Sequence, residues 1–170
     1  TAYLSQWVFL PEGSQPRALV VEADDGLRNL DSWGHRAYWG ALPMRWRIPP
    51  THMGPRETLP VGSWRELRIP LIAIGLHDKP ICALGFVQQG GGRIAWDTTA
   101  VCVDGKRHVI LDDPPAPGKP FGDWEWTGEY AHSGRKAHWN QPPARPDAIR
   151  SHHIELSRPV LEHMLPWPPG

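Results

Sequence analysis

Residues 32–40 read SWGHRAYWG. Successive side chains of a β-strand point to opposite faces, so a strand through this segment separates its side chains into two sets. One face carries three large rings and an alanine: Trp33, His35, Ala37 and Trp39. The other face carries a cation and a phenol, Arg36 and Tyr38. The segment therefore predicts a strand with one aromatic, core-facing side and one polar side.

On both sides of residues 32–40, short alternating or apolar segments recur between turns rich in proline and glycine. They cover residues 3–10, 18–22, 64–69, 81–88, 93–98, 100–103, 108–111, 124–126, 135–139 and 151–156. Asp104-Gly105 is a strong hairpin turn signal. Residues 71–76 fit either one helical turn or an extended segment, and no long amphipathic helix is evident. This pattern predicts a single all-β domain over residues 1–170, a two-layer antiparallel β-sandwich.

Composition narrows the class of protein. Eighteen Lys and Arg balance 18 Asp and Glu, which disfavours a nucleic-acid binder because phosphate contact needs a basic surplus. No apolar run is long enough to cross a membrane. The chain has 20 Pro and 17 Gly, but its ten Trp argue against disorder. A chain that begins at Thr1 is expected to be a processed product or a part of something longer.

The two cysteines leave two interpretations open. Cys82 and Cys102 lie on either side of the glycines at residues 90–92. If those glycines form a hairpin loop, the two sulfurs face each other, and a disulfide would indicate an oxidising compartment. The alternative is two buried thiols that act as small apolar side chains.

Several spaced motifs carry a family resemblance. These are WGHRAYWG at residues 33–40, MGP at 53–55, GSWREL at 62–67, IGL at 74–76, GF at 85–86 and WD at 96–97. Together they resemble a concanavalin/LamG-like jelly-roll module of bacterial secreted or surface multidomain proteins, of the Rhs/YD-repeat and planctomycete type. The resemblance implies a jelly-roll sandwich in an extracellular or cell-surface location.

The halves of the module stand in permuted order. Residues 1–111 match its later part, residues 112–120 form a proline-rich connection, and residues 121–170 are similar to its opening strands. Two arrangements follow. Either the tail completes the sheets of its own chain, as in a circularly permuted domain, or it pairs with another copy by strand exchange and builds a homo-polymer.

The tryptophans are the first candidates for ligand binding, because indole faces stack on the apolar faces of sugars. Trp46, Trp139 and Trp167 lie among prolines, whereas a strand tryptophan more often fills the core. Arg36 and Tyr38 are candidates for hydrogen bonds to a polar ligand. The alternative for these two is an arginine–carboxylate pair and a phenol satisfied within the sheet.

The sequence signals for a metal site or for catalysis are weaker than those for ligand binding. His138, His152 and His153 have no acidic or cysteine partner at a metal-ligand spacing, so no cofactor is expected. A structural calcium ion is the open alternative, and the available carboxylates are those of Asp24, Asp25, Asp97, Asp112, Asp113 and Asp123. Glu125 and Asp97 are the candidate pair for glycoside hydrolysis, but no spacing links them, and no catalytic motif is present.

The preferred hypothesis is therefore a non-catalytic extracellular module that binds a glycan or another surface polymer, with neither a nucleic-acid partner nor a membrane span. The first alternative is a structural subunit of a surface fibre or tandem-repeat array joined by strand exchange. The second alternative is a glycoside-active enzyme.

Overall fold

The computed structural model describes residues 2–27, 32–42, 45–113, 124–140, 145 and 147–160, without the side chains of residues 157 and 158. Eleven strands follow one another: β1 Ala2–Phe9, β2 Ala18–Asp24, β3 His35–Gly40, β4 Thr51–Gly54, β5 Trp64–Pro70, β6 Ile81–Gln89, β7 Ala95–Val103, β8 Lys106–Leu111, β9 Trp124–Thr127, β10 Ala137–Asn140 and β11 Ile149–Val160. Two short 3-10 turns, Arg56–Thr58 and Leu71–Ile74, complete the elements of this part of the chain.

The strands form two sheets that enclose one core, so the predicted all-β sandwich is confirmed. One sheet has the order β5-β1-β7-β10-β9, and β8 also pairs with β7. The second sheet has the order β11-β6-β2-β3-β4. The pairings are antiparallel except for β3 with β4, which are parallel. Apolar side chains such as Leu4, Phe86 and Trp96 fill the space between the sheets.

The strand in residues 32–40 behaves largely as its alternation predicts. In β3, His35, Ala37 and Trp39 are buried, whereas Arg36 and Tyr38 point to the other face and stay partly exposed. Trp33 does not take its predicted place on this strand, because the strand begins at His35. Its indole instead packs on His153, with ring centroids 4.5 Å apart.

β7 is one strand where the sequence suggested two. It runs through Thr98, whose φ of +49° departs from extended geometry. β1 pairs along the whole of β7. The other edge of β7 is shared, because β10 pairs with Ala95 and Trp96 and β8 pairs with Thr99–Val103. The predicted hairpin turn at Asp104-Gly105 joins β7 to β8, as expected.

The tail supplies strands to the sheets of its own chain. β10 pairs with β7, and β11 pairs with β6 in a register that sets His152 opposite Phe86. Both sheets therefore include strands from each side of the proline-rich connection. Pairing with a second copy stays a prediction.

The predicted hairpin around residues 90–92 is wrong. β6 and β7 lie in different sheets, and the three glycines carry the chain from one sheet to the other with φ values of +69°, +85° and +66°. Cys82 on β6 and Cys102 on β7 therefore do not face each other, and both are free thiols. The disulfide interpretation fails because its geometry required a hairpin that does not form.

Candidate functional site

The predicted polar set lies on the outer face of the five-stranded sheet and is engaged within the protein. Arg36 Nε donates to Glu22 Oε2 at 2.6 Å, and its guanidinium lies 5.2 Å from the ring centre of Trp46. The Tyr38 ring packs against His52 at 4.8 Å. Arg36, Tyr38 and Trp46 are thus brought to one face, but Arg36 forms the arginine–carboxylate pair that was the alternative to ligand binding.

Glu22 is the centre of this outer face. The residue is 5% exposed, and its second carboxylate oxygen, Oε1, lies 2.8 Å from His153 Nε2. A Cβ at Gly85 would lie 2.5 Å from Glu22 Cγ and 2.7 Å from His153 Cδ2, so the absence of a side chain makes room for this cluster. The charge of Glu22 is therefore balanced inside the protein.

The remaining predicted ligand residues lie elsewhere. Trp139 is 3% exposed on the six-stranded sheet, donates from Nε1 to Glu125 Oε1 at 2.8 Å, and stacks under Arg93 at 4.7 Å. Trp167 lies outside the described residues. The structure does not bring Trp139 together with the outer-face set of Arg36, Tyr38 and Trp46.

A different group of rings meets on the outer face of the six-stranded sheet. We call it the aromatic strip, and it comprises five partly exposed residues: Trp7, Phe9, Trp64, Tyr130 and His132. Trp7 stacks on His132 with centroids 3.8 Å apart, and Phe9 stacks on Tyr130 at 4.8 Å. Trp64 contacts both Phe9 and His132, at 5.6 Å each. The contacts are therefore continuous from one ring to the next.

Two surface clefts adjoin the strip. The β5 cleft, of about 650 Å³, lies along the edge strand β5 and is lined by Trp7, Trp39, Met53, Thr58, Leu59 and residues 64–68. The loop cleft, of about 530 Å³, is lined by residues 11–15, 91–93, 129–130 and Trp139. Aromatic side chains with nearby polar groups are typical of the walls of ligand sites.

The loop between β9 and β10, residues 128–136, supplies Tyr130 and His132 to the strip and is anchored by three carboxylates, one of them buried. Asp97 is fully buried and accepts backbone N–H groups from Thr98 at 2.7 Å, His132 at 2.7 Å and Ser133 at 3.0 Å. Burial raises the pKa of Asp97 to about 6, although these hydrogen bonds act in the opposite direction.

Two further carboxylates hold the same loop. Asp112 accepts a hydrogen bond from Ser133 Oγ at 2.9 Å. Asp113 Oδ1 accepts from the backbone N–H groups of Arg135 and Lys136, at 2.8 and 2.9 Å. These hydrogen bonds lower the pKa of the Asp113 carboxyl. The loop is therefore fixed to the ends of β7 and β8 rather than resting on the rings alone.

Asp97→Asn is expected to loosen this loop and to destabilise the fold by about 1–3 kcal/mol, because an amide NH₂ would face N–H donors. Since the native protein binds the Asp97 proton more tightly than the unfolded chain does, ionisation between about pH 4 and pH 6 costs stability, and Asp97→Asn removes that dependence. Hydrogen exchange at the His132 and Ser133 amides measures the loosening, with the exposed Asp78→Asn as control. Unchanged exchange in Asp97→Asn would contradict the anchoring role.

A buried polar chain crosses the core below the loop cleft. Gln88 Nε2 donates to the carbonyls of Gly90 and Gly92, at 2.8 Å each, and Gln88 Oε1 accepts from Asn140 Nδ2 at 3.1 Å. Asn140 Oδ1 then accepts from His152 Nδ1 at 2.8 Å. The directions of these bonds are set by the carbonyls at one end, since a carbonyl only accepts.

The chain ends at a pair of neutral histidines. His152 Nε2 accepts from His138 Nδ1 at 2.7 Å, which leaves a lone pair on His138 Nε2 without a partner among the described residues. The pair is enclosed by the rings of Phe86, Trp124 and Trp126. Burial lowers the pKa of His138 to about 3 and holds that of His152 well below its usual range.

Among the described residues, the side chains considered as candidate metal ligands or catalytic carboxylates have other partners. No cluster of three or more His, Cys, Asp or Glu suited to a metal ion occurs in the described part of the chain, and Asp123 lies outside it. Asp24 accepts from the Gly26 N–H at 2.9 Å, and Asp25 Oδ2 contacts His35 Nε2 at 2.8 Å. Glu125 bonds to Trp139 and Asp97 to backbone, so the structure does not present these two carboxylates as a catalytic pair.

Sequence reasoning did not single out the aromatic strip. The alternation of Trp7 and Phe9 in residues 3–10 was visible, but it reads equally as one face of a core strand. Tyr130 and His132 lie in a loop without periodicity, and their position depends on Asp97, which is distant in sequence.

Among the described residues, no helix combines the length and hydropathy needed to span a bilayer.

Comparisons with known proteins give no relative: no family model, no curated protein and no solved structure matches the chain significantly. The resemblance to a concanavalin/LamG-like module stays a prediction. The chain is, in architecture, an all-β sandwich with two clefts beside an aromatic strip.

Proposed function

We propose that the protein is a non-catalytic carbohydrate-binding module of the cell exterior, and that its ligand lies along the aromatic strip and in the β5 cleft. The observation that supports this most directly is the position of Trp7, Phe9 and Trp64. These three partly exposed rings stand side by side on the paired strands β1 and β5, and two of them line the cleft.

The chemistry of these side chains suits a sugar. An indole offers a wide apolar face for the C–H groups of a pyranose ring, and it loses little rotamer freedom on binding. Trp64 and Trp7 project from hydrogen-bonded strands, so the surface is formed before the ligand arrives. The charged rim of the cleft, which includes Arg65 and Glu66, can hydrogen-bond to hydroxyl groups.

Trp64→Ala is expected to weaken polysaccharide binding at least tenfold, which corresponds to about 1.4 kcal/mol. The physical reason is the loss of the ring that borders both the strip and the β5 cleft. Calorimetric titration or affinity electrophoresis against a panel of plant, bacterial and host polysaccharides measures the effect. Thermal unfolding of the same sample shows whether the variant is folded.

Trp46→Ala is the matched control. It removes the same side chain from the outer face of the other sheet, where Trp46 covers Arg36. Binding that survives Trp46→Ala and fails in Trp64→Ala supports the proposed site. The reverse result would move the site to the face predicted from Arg36, Tyr38 and Trp46. A native protein that binds nothing in the panel would exclude carbohydrate binding.

A further inference from the structure

The charged side chains around the β5 cleft differ in whether they already have partners within the protein. Glu66 is the carboxylate among the residues that line it, and it is used within the protein. Its Oε1 accepts from Ser5 Oγ at 2.6 Å and lies 3.4 Å from Arg107 Nη1, while its Oε2 accepts from Arg68 Nε at 2.9 Å. Burial acts to raise the pKa of Glu66, but these hydrogen bonds and neighbouring cations lower it overall. The carboxylate is therefore ionised and already paired.

Arg68 is also committed. Its guanidinium pairs with Glu66 and lies 5.3 Å from the ring centre of Tyr3, so two interactions hold it on the outer face of the sheet. It contributes positive charge to the cleft but has little freedom to reorient toward a ligand.

Arg65 is different. Its side chain lines the β5 cleft, is exposed, and makes neither a hydrogen bond nor an ion pair within the part of the chain that the structure describes. Two guanidinium groups, those of Arg65 and Arg68, thus line this cleft with a single carboxylate, Glu66, which also pairs with Arg107 outside the lining. The net charge of the side chains that line the cleft is therefore positive, and the Arg65 guanidinium is available to pair with a ligand.

The loop cleft has the opposite balance. Its charged residues are Glu12, Arg93 and Glu129, and Arg93 already stacks on Trp139. A negatively charged group on a ligand would therefore be attracted to the β5 cleft and disfavoured at the loop cleft.

We infer that the ligand of the β5 cleft is an acidic sugar polymer, whose carboxylate or sulfate group pairs with Arg65 while a sugar ring lies on Trp64. This inference rests on the proposed carbohydrate binding and specifies its ligand class. Adjacent side chains of a strand point to opposite faces. Trp64 and Arg65 nevertheless line the same cleft, because β5 is an edge strand and the cleft runs along it. The planar guanidinium can pair with either anion through two N–H donors.

The test compares polymers that differ only in charge. Dextran sulfate is titrated against dextran, and polygalacturonate against its methyl ester, so that the two arms separate sulfate from carboxylate recognition. We expect at least one acidic polymer to bind tenfold or more tightly than its neutral counterpart, with affinity that falls as salt is raised. Arg65→Gln should remove that preference, and Arg65→Lys should keep part of it.

Arg145→Gln is the matched control, since Arg145 is exposed and does not line the β5 cleft. If Arg65→Gln and Arg145→Gln lose the preference for the acidic polymer equally, the net charge of the protein alone explains that preference, and the inference is overturned. Tight binding of poly-L-glutamate would overturn it too, because that polymer has no sugar ring. Equal affinity for neutral and acidic polymers, with Trp64→Ala still harmful, would refute the acidic ligand and leave carbohydrate binding standing. If Trp64→Ala changes nothing, both the acidic ligand of the β5 cleft and the proposed position of the carbohydrate site on the aromatic strip are refuted.

Discussion

Between pH 7 and pH 5 the protein is expected to lose about 3 kcal/mol of its free energy of unfolding. The main cause is the pair His138 and His152, which the native core holds neutral. An unfolded histidine takes up a proton near pH 6.5, so each native imidazole with a lowered pKa costs about 2 kcal/mol at pH 5. Asp97, whose pKa is raised to about 6, offsets about 1 kcal/mol of this loss.

The sign of the effect follows from the direction of each shift. A histidine with a lowered pKa contributes stability above pH 6.5, and that stability is lost as the pH falls. A domain with a total stability of about 5–15 kcal/mol would be markedly weakened by a loss of this size. Urea denaturation at pH 7, 6 and 5, followed by tryptophan fluorescence, measures it.

His138→Phe tests the origin of the acid sensitivity. The substitution shortens the polar chain by one ring, so that His152 Nε2 becomes the terminal lone pair in place of His138 Nε2. The variant should still fold at pH 7, and it should lose about 2 kcal/mol less than the native protein on going to pH 5. Identical pH dependence in the two proteins would show that the acid sensitivity arises elsewhere.

Gly40→Ala is expected to destabilise the fold by at least about 3 kcal/mol. Gly40 ends β3 with a φ of +87°, a conformation that L-residues with a side chain rarely adopt. A Cβ there would also lie far inside the contact distance of the Arg17 carbonyl oxygen, which is backbone and accepts from the Ala41 N–H at 3.1 Å. Relief of the clash would separate β3 from the start of β2. Denaturant unfolding measures the loss.

Gly13→Ala separates the strain of a positive φ from the steric clash with the Arg17 carbonyl. Gly13 has a similar φ of +79°, but nothing lies within 4 Å of the position its Cβ would take. The strain of the backbone alone should therefore cost about 1–2 kcal/mol in Gly13→Ala. If Gly40→Ala costs no more than Gly13→Ala, the close approach to Arg17 has no energetic importance.

The local features of the fold were predictable because period-two alternation is a strong signal. The buried set His35, Ala37 and Trp39 of β3, and the hairpin turn at Asp104-Gly105, both follow the sequence. In each case the residues that decide the structure are neighbours in the chain. The two-layer architecture followed from the number of such short strands.

The features that the sequence predicted wrongly or left open depend on partners distant in sequence. Residues 90–92 could equally have closed a hairpin, but β6 pairs with β2 and β11 whereas β7 pairs with β1 and β10, so the two strands lie in different sheets. For Arg36 the sequence left both ligand binding and an arginine–carboxylate pair open, and the partner in the structure is Glu22 of the neighbouring strand. Alternation states which face a side chain is on, but not what it meets there.

The shared edge of β7 has a consequence for how the chain is made. On the ribosome, β6 and β7 emerge well before β10 and β11, which complete their sheets. Until the last third of the chain has been synthesised, Phe86 lacks the rings of His138 and His152 that pack on it, and Trp96 lacks its strand partner His138. We expect such a nascent chain to expose apolar surface and unpaired strand edges during this interval, which favours aggregation.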